Sequence, residues 1–215
     1  MTGKIKLNAA SGGGSVSFQA PSSTGDDRII TLPTSADGTV LTTTNPKAGN
    51  IIQVVATNVT ASSSVSVPNA GLADTPATVT ITSEAANSKF LISGAISGEG
   101  TSMEDHSIAF VLRRVIGGSG SSINVGASAS NRIQVSFMSN QGYFNDDQSS
   151  TPSTNILSPY LDSPSQAAGT AITYKIDITG TGDSGTYYFG RTVSYSDDAG
   201  HELLPNYITV MEVAV

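Results

Sequence analysis

Apolar side chains in this sequence recur at every second position, while stripes at helical spacing are hard to find. Ile5 and Leu7 alternate with Lys4, Lys6 and Asn8. Val16 and Phe18 alternate with Ser15, Ser17 and Gln19, beyond Ser11-Gly12-Gly13-Gly14. A period of two puts apolar groups on one face of an extended chain and polar groups on the other. The chain is therefore predicted to be all-β, and the two runs around the glycine-rich segment read as a β-hairpin. The one helix-like window, 101–105, is too short to compete.

Turn signals divide the rest. Residues 21–27 form a turn segment, 28–32 read as a short strand stopped by Pro33, and Ala36-Asp37-Gly38 precedes a strand over 39–43. Residues 46–50 read as a linker. Beyond it the strands lengthen, with 51–60, 65–67, 77–82, 89–97, 107–116, 132–138, 156–161, 171–179, 187–195 and 207–215 as the expected set. Many strands between Gly, Ser, Asp and Pro turns suggest a jelly-roll-like β-sandwich over 51–215, preceded by an amino-terminal β arm over 1–45.

The arm is poor in apolar residues, the main ones being Ile5, Leu7, Val16, Phe18, Ile29, Ile30 and Leu32. A segment of that size rarely buries enough surface to fold alone without a disulfide, a metal or oligomerisation. The chain has no cysteine, so the arm's apolar face is expected to pack on another chain or on the main domain. Because the Pro46/Gly49 linker separates the two parts, these seven residues are read as a docking and oligomerisation surface between chains.

Charge excludes other partners. Only 13% of residues are charged, against about 25% in an average domain; Ser, Thr, Asn and Gly take their place. The balance of 10 Lys and Arg against 17 Asp and Glu gives −7, which opposes nucleic acid and anionic membrane surfaces. The one basic pair, Arg113-Arg114, is expected to split between the two faces of a strand. No apolar stretch approaches the ~20 residues of a membrane span, and no secretion signal follows Met1. Low charge and Ser/Thr-rich faces suit close packing of identical chains.

Motifs that suggest chemistry have plainer readings. The acid pairs Asp26-Asp27, Asp146-Asp147 and Asp197-Asp198 each lie in a turn context, where Asp bonds its own backbone; calcium loops follow a stricter spacing. Glu104-Asp105-His106 and the distant His201 do not supply the three ligands of a catalytic zinc. Gly117-Gly118-Ser119-Gly120-Ser121-Ser122 lacks a phosphate-loop lysine and reads as a flexible hairpin loop. No catalytic residue, metal ligand or cofactor is assigned, and the chain is expected not to be an enzyme. Tyr143 and Phe144, in a polar loop, are candidates either for contact with a partner or receptor or for covering the domain's own edge. In Tyr187-Tyr188-Phe189, alternation sends at least one ring to each face.

The stretch from Gly3-Lys4-Ile5-Lys6-Leu7-Asn8 through Ser15-Val16, with Ala20-Pro21-Ser22-Ser23-Thr24 and Ile30-Thr31-Leu32-Pro33, resembles the amino-terminal module of tail-fibre-like proteins of marine and freshwater bacteriophages, cyanophages among them. Ser158-Pro159-Tyr160-Leu161-Asp162-Ser163-Pro164, Thr173-Tyr174-Lys175-Ile176 and the closing Tyr207 to Val213 resemble the β-domain that recurs with it. The resemblance covers roughly residues 3–45 and 155–215. It implies a virion structural protein, usually a homotrimer, made in the host cytoplasm and attached to other virion proteins. This chain has no extended shaft between its two parts, which speaks against a reaching, receptor-binding fibre and leaves a short fibre, a capsid decoration protein or an adaptor within a larger fibre complex. A glycan-recognising receptor tip is the alternative that rests on the loop aromatics.

Overall fold

The computed structural model describes residues 4–19, 22, 25, 46–101, 107–139 and 152–215. The chain divides into two compact units, Met1–Val40 and Leu41–Val215. Regular structure among the described residues is all strand.

In the first unit, β1 (Lys4–Asn8) and β2 (Ser15–Gln19) form an antiparallel hairpin. Gly12 and Gly13 take φ of 82° and 70°, a left-handed conformation that favours glycine and lets the chain reverse. Of the seven arm residues proposed for docking, Ile5, Leu7, Val16 and Phe18 lie on this hairpin; Ile29, Ile30 and Leu32 lie outside the described residues.

The second unit holds, in chain order, β3 (Ile51–Val59), β4 (Ser63–Val67), β5 (Ala73–Thr82), β6 (Lys89–Thr101), β7 (Ile108–Ile116), β8 (Ser119–Ser122), β9 (Phe137–Met138), β10 (Ser153–Asp162), β11 (Ala171–Gly180), β12 (Gly185–Phe189) and β13 (Asn206–Val213). They form two sheets, and every pairing is antiparallel. In the six-stranded sheet, Ala95 of β6 lies between Ile156 of β10 and Tyr207 of β13, while Gly98 lies between Ser153 of β10 and Phe189 of β12. Hence β12 and β13 run end to end along one side of β6, with β10 along the other. Beyond them β4 pairs β12 and β3 pairs β13, also end to end. In the five-stranded sheet β11 lies between β5 and β7, and β8 and β9 both pair the far side of β7.

The two sheets share one core, so the fold is an all-β sandwich. Ile172, Tyr174, Ile176 and Ile178 of β11 alternate with Thr173, Lys175 and Asp177 and are fully buried. They meet Phe90, Ile92 and Ile96 of β6 and Ile208 and Val210 of β13 in the same cluster. Each such side chain contributes roughly 1.5–3 kcal/mol relative to leaving it in water. Aromatic rings fill one region: Phe110 stacks on Phe137 at 4.9 Å and meets the edge of Tyr187 at 6.0 Å. Tyr187 and Phe189 face inward and Tyr188 outward, as alternation requires.

Several strand limits differ from expectation. The strand expected over 187–195 stops at Phe189, where Gly190 turns at φ 69° and a 16-residue connection follows. Of the run 132–138, only Phe137–Met138 pairs. Residues 119–122 form a strand where a flexible loop was expected. Gly117 and Gly118, at φ 56° and 81°, make the two-residue turn that folds them back on β7. β5 begins at Ala73, and Pro76 is tolerated inside it because β5 pairs only with β11. The acid pairs Asp26-Asp27 and Asp146-Asp147, the Glu104-Asp105-His106 cluster, and Tyr143 with Phe144 lie outside the described residues.

Candidate functional site

The amino-terminal hairpin presents an apolar stripe. Cross-strand pairing sets Ile5 opposite Phe18 and Leu7 opposite Val16, so all four share one face. Each is between 50% and 66% exposed. An isolated two-stranded hairpin is marginal in water, and four large apolar side chains on one face are the surface that a partner would cover.

A second apolar surface lies on the outer face of the six-stranded sheet. Register places Leu161 (β10), Leu91 (β6), Met211 (β13) and Val54 (β3) in one row across four strands. A parallel row contains Ile156, Ala95, Tyr207 and Asn58. Between them runs a line of small side chains, Ser93, Thr209 and Ala56, which meets the β10 bulge at Ser158 and Pro159. Val54, Leu161, Ile156 and Tyr207 are 56%, 47%, 64% and 39% exposed. None of these outer-face residues was among the candidates from sequence. The signal was present, because in β3, β6 and β13 both alternating sets are largely apolar or uncharged, which a one-sided strand does not require.

The connection between β12 and β13, residues 190–205, forms a compact loop. Leu204 donates from its amide to the Gly190 carbonyl at 3.0 Å, and Gly190 to that of Ser97 at 2.8 Å, closing its base. The buried Glu99 carboxylate accepts the Val193 amide at 2.6 Å. The Arg191 guanidinium lies 4.1 Å from the Tyr188 ring centre and 4.8 Å from that of Tyr195, which fixes the exposed Tyr195 ring. Beside it is an open cleft of about 270 Å³, lined by Tyr195, Ser196, Asp197, Asp198, His201 and Leu203. Asp198 accepts the Gly200 amide at 2.9 Å and pairs with His201 Nδ1 at 2.7 Å. The His201 and Gly200 hydrogen bonds hold the Asp198 carboxyl below its ordinary value. Of the three acid pairs in the sequence, this one is described, and its second member shapes a turn.

Buried carboxylates of the sandwich are tied to groups distant in sequence. Asp162 takes two bonds from Arg114 Nη1, at 2.7 and 2.9 Å, and a third from the Tyr174 hydroxyl at 2.8 Å. Burial and that bond push the Tyr174 phenol far up. Glu212 accepts the amides of Glu84 and Ala85, at 2.9 and 3.1 Å, and the Gln53 amide group. Burial disfavours its charge, yet the bonds from Gln53, Ser88, Glu84 and Ala85 prevail and hold its carboxyl below the ordinary value. On the outer face of the five-stranded sheet, Lys175 bridges Asp74 and Asp177, and Arg113 lies 3.7 Å from Asp177. Arg113 and Arg114 thus take opposite faces of β7. No group of three or more acidic, histidine or cysteine residues gathers among the described residues to hold a metal ion.

No family model and no curated protein matches this chain. Among solved structures, it is similar to the VP2 subviral particle of infectious bursal disease virus, at 14% identity and a TM-score of 0.35, with 94% of this chain and 48% of that chain covered. The T=1 particles derived from infectious bursal virus match at 13% identity and a TM-score of 0.36, with 94% and 46% covered. The chain spans about half the length of these proteins.

Proposed function

We propose that this chain is a non-enzymatic structural component of a bacteriophage virion, a short oligomeric fibre held in place by its amino-terminal arm. The observation that carries this reading is the exposed apolar face of the β1–β2 hairpin, on the segment that resembles the tail-fibre module. A hairpin so small gains stability by burying that face against sister chains or a neighbouring virion protein. A homotrimer is the assembly that the resemblance implies. Deleting residues 1–45 is expected to abolish incorporation into particles, measured by quantitative blotting of purified virions. A truncated chain that still joins virions at the full-length level would overturn the role of the arm.

The β12–β13 loop favours a second reading, recognition of a host surface glycan. An exposed tyrosine held flat by an arginine, beside two carboxylates, is the combination that stacks on a sugar ring and accepts its hydroxyls. Tyr195→Ala is expected to lower binding to glycan-coated surfaces at least about tenfold, a loss of ~1.4 kcal/mol. Unchanged binding with Tyr195→Ala, but loss on substituting Tyr143 and Phe144, would move recognition to those two residues.

A further inference from the structure

We infer that the outer face of the six-stranded sheet is a self-association surface, against which a second copy of this chain packs face to face. The inference is independent of the arm and concerns the sandwich alone.

Three features of that face support a second copy. The first is charge. Across the rows from Leu161 to Val54 and from Ile156 to Asn58, no outward side chain is acidic or basic. Lys89 stands at one margin of β6, and Glu99, at the other, accepts a bond from the 190–205 loop. The outer face of the other sheet instead carries the Asp74, Lys175, Asp177 and Arg113 network. In a chain with net charge −7, two copies repel most weakly where each presents an uncharged surface.

The second is relief. Two ridges, one of Leu161, Leu91, Met211 and Val54 and the other containing Ile156 and Tyr207, flank the trough of Ser93, Thr209 and Ala56. Residues two apart on a strand are separated by roughly 6.8 Å, so a ridge from a two-fold-related copy fits into the trough. Sheets stack at about 10 Å with strands within about 30° of one another.

The third is area. Four strands at ~4.8 Å by the five residues of β13 from Tyr207 to Met211 at ~3.3 Å give on the order of 300 Å² for each copy, or about 600 Å² in total, the size of a weak, reversible contact. A two-fold contact is isologous, so the trough of one copy lies over that of its partner.

The chain has no cysteine, which makes the test direct. In the full-length protein, Thr209→Cys at the centre of the trough is expected to be captured as a dimer by a short bis-maleimide. Thr80→Cys, on the outer face of the other sheet, is expected to remain uncoupled. Val54→Lys combined with Leu161→Lys is expected to weaken association about tenfold or more by sedimentation velocity. That variant lowers the net negative charge, so weaker association cannot come from overall repulsion. Replacing Ile5 and Phe18 with Ser is expected to leave the Thr209→Cys cross-link in place, which separates this surface from the arm. The inference is overturned if Thr209→Cys couples no better than Thr80→Cys, or if the double lysine variant associates as the parent does.

Discussion

At the scale of single residues, the sandwich is fastened by carboxylates whose partners are far away in sequence. Glu212, on β13, gathers the amides of Glu84 and Ala85 in the connection between β5 and β6. Its folded-state proton affinity is lowered below the ordinary 4.5. A depressed carboxylate adds stability above its unfolded value, and that increment is lost as pH falls through the folded value. Thermal melts taken from neutral pH down through 4.5 are expected to show a shallower acid loss for Glu212→Gln than for the parent; an identical slope would remove Glu212 from the acid response. Sequence could not assign such a role, because hydrogen bonds over 128 residues leave no local trace. Alternation did place the Tyr187, Tyr188 and Phe189 rings, since that inference needs only the period of a strand. For Tyr195 it placed a strand residue, and the ring lies in a loop.

At the scale of elements, β6 shows how much a strand's neighbours decide. Its amino-terminal part pairs β13 and its carboxy-terminal part pairs β12. The change of partner falls near Gly98, where φ is 149° and an added Cβ would lie 2.0 Å from the Tyr188 carbonyl oxygen. Gly98→Ala is therefore expected to cost about 3 kcal/mol in denaturant unfolding, by forcing β12 outward. Gly126→Ala, with open space around its Cβ position, is expected to change stability by less than ~0.5 kcal/mol. An unchanged Gly98→Ala midpoint would mean that β12 shifts without cost. The strong apolar strands β6, β7, β11 and β13 were readable from alternation. The strand Ser119–Ser122 was not, because it has no apolar side chain and depends on pairing with β7. The end of β12 was hidden for the opposite reason, since Val193 and Tyr195 continue the alternation past Gly190.

At the scale of the whole molecule, the buried cluster runs from Val67 to Val210, entirely within the second unit. Removal of residues 1–45 is thus expected to leave a soluble chain with the unfolding transition of the full-length protein, even as incorporation into particles is lost. Sequence divides the chain on the ground of the contrast between a sparse arm over 1–45 and dense later strands over 51–215. It could not show the uncharged outer face, because a row across four strands exists only once the register is set. That register also pairs Val213 with Ile51, continued by bonds from Gly49 to Ala214 and from Ala214 to Asn50. The chain enters and leaves the sandwich side by side, about 5 Å apart. A domain with that geometry is a cassette: it can be spliced into a surface loop of an unrelated host protein without prising that loop open, or be circularly permuted with a short joining segment.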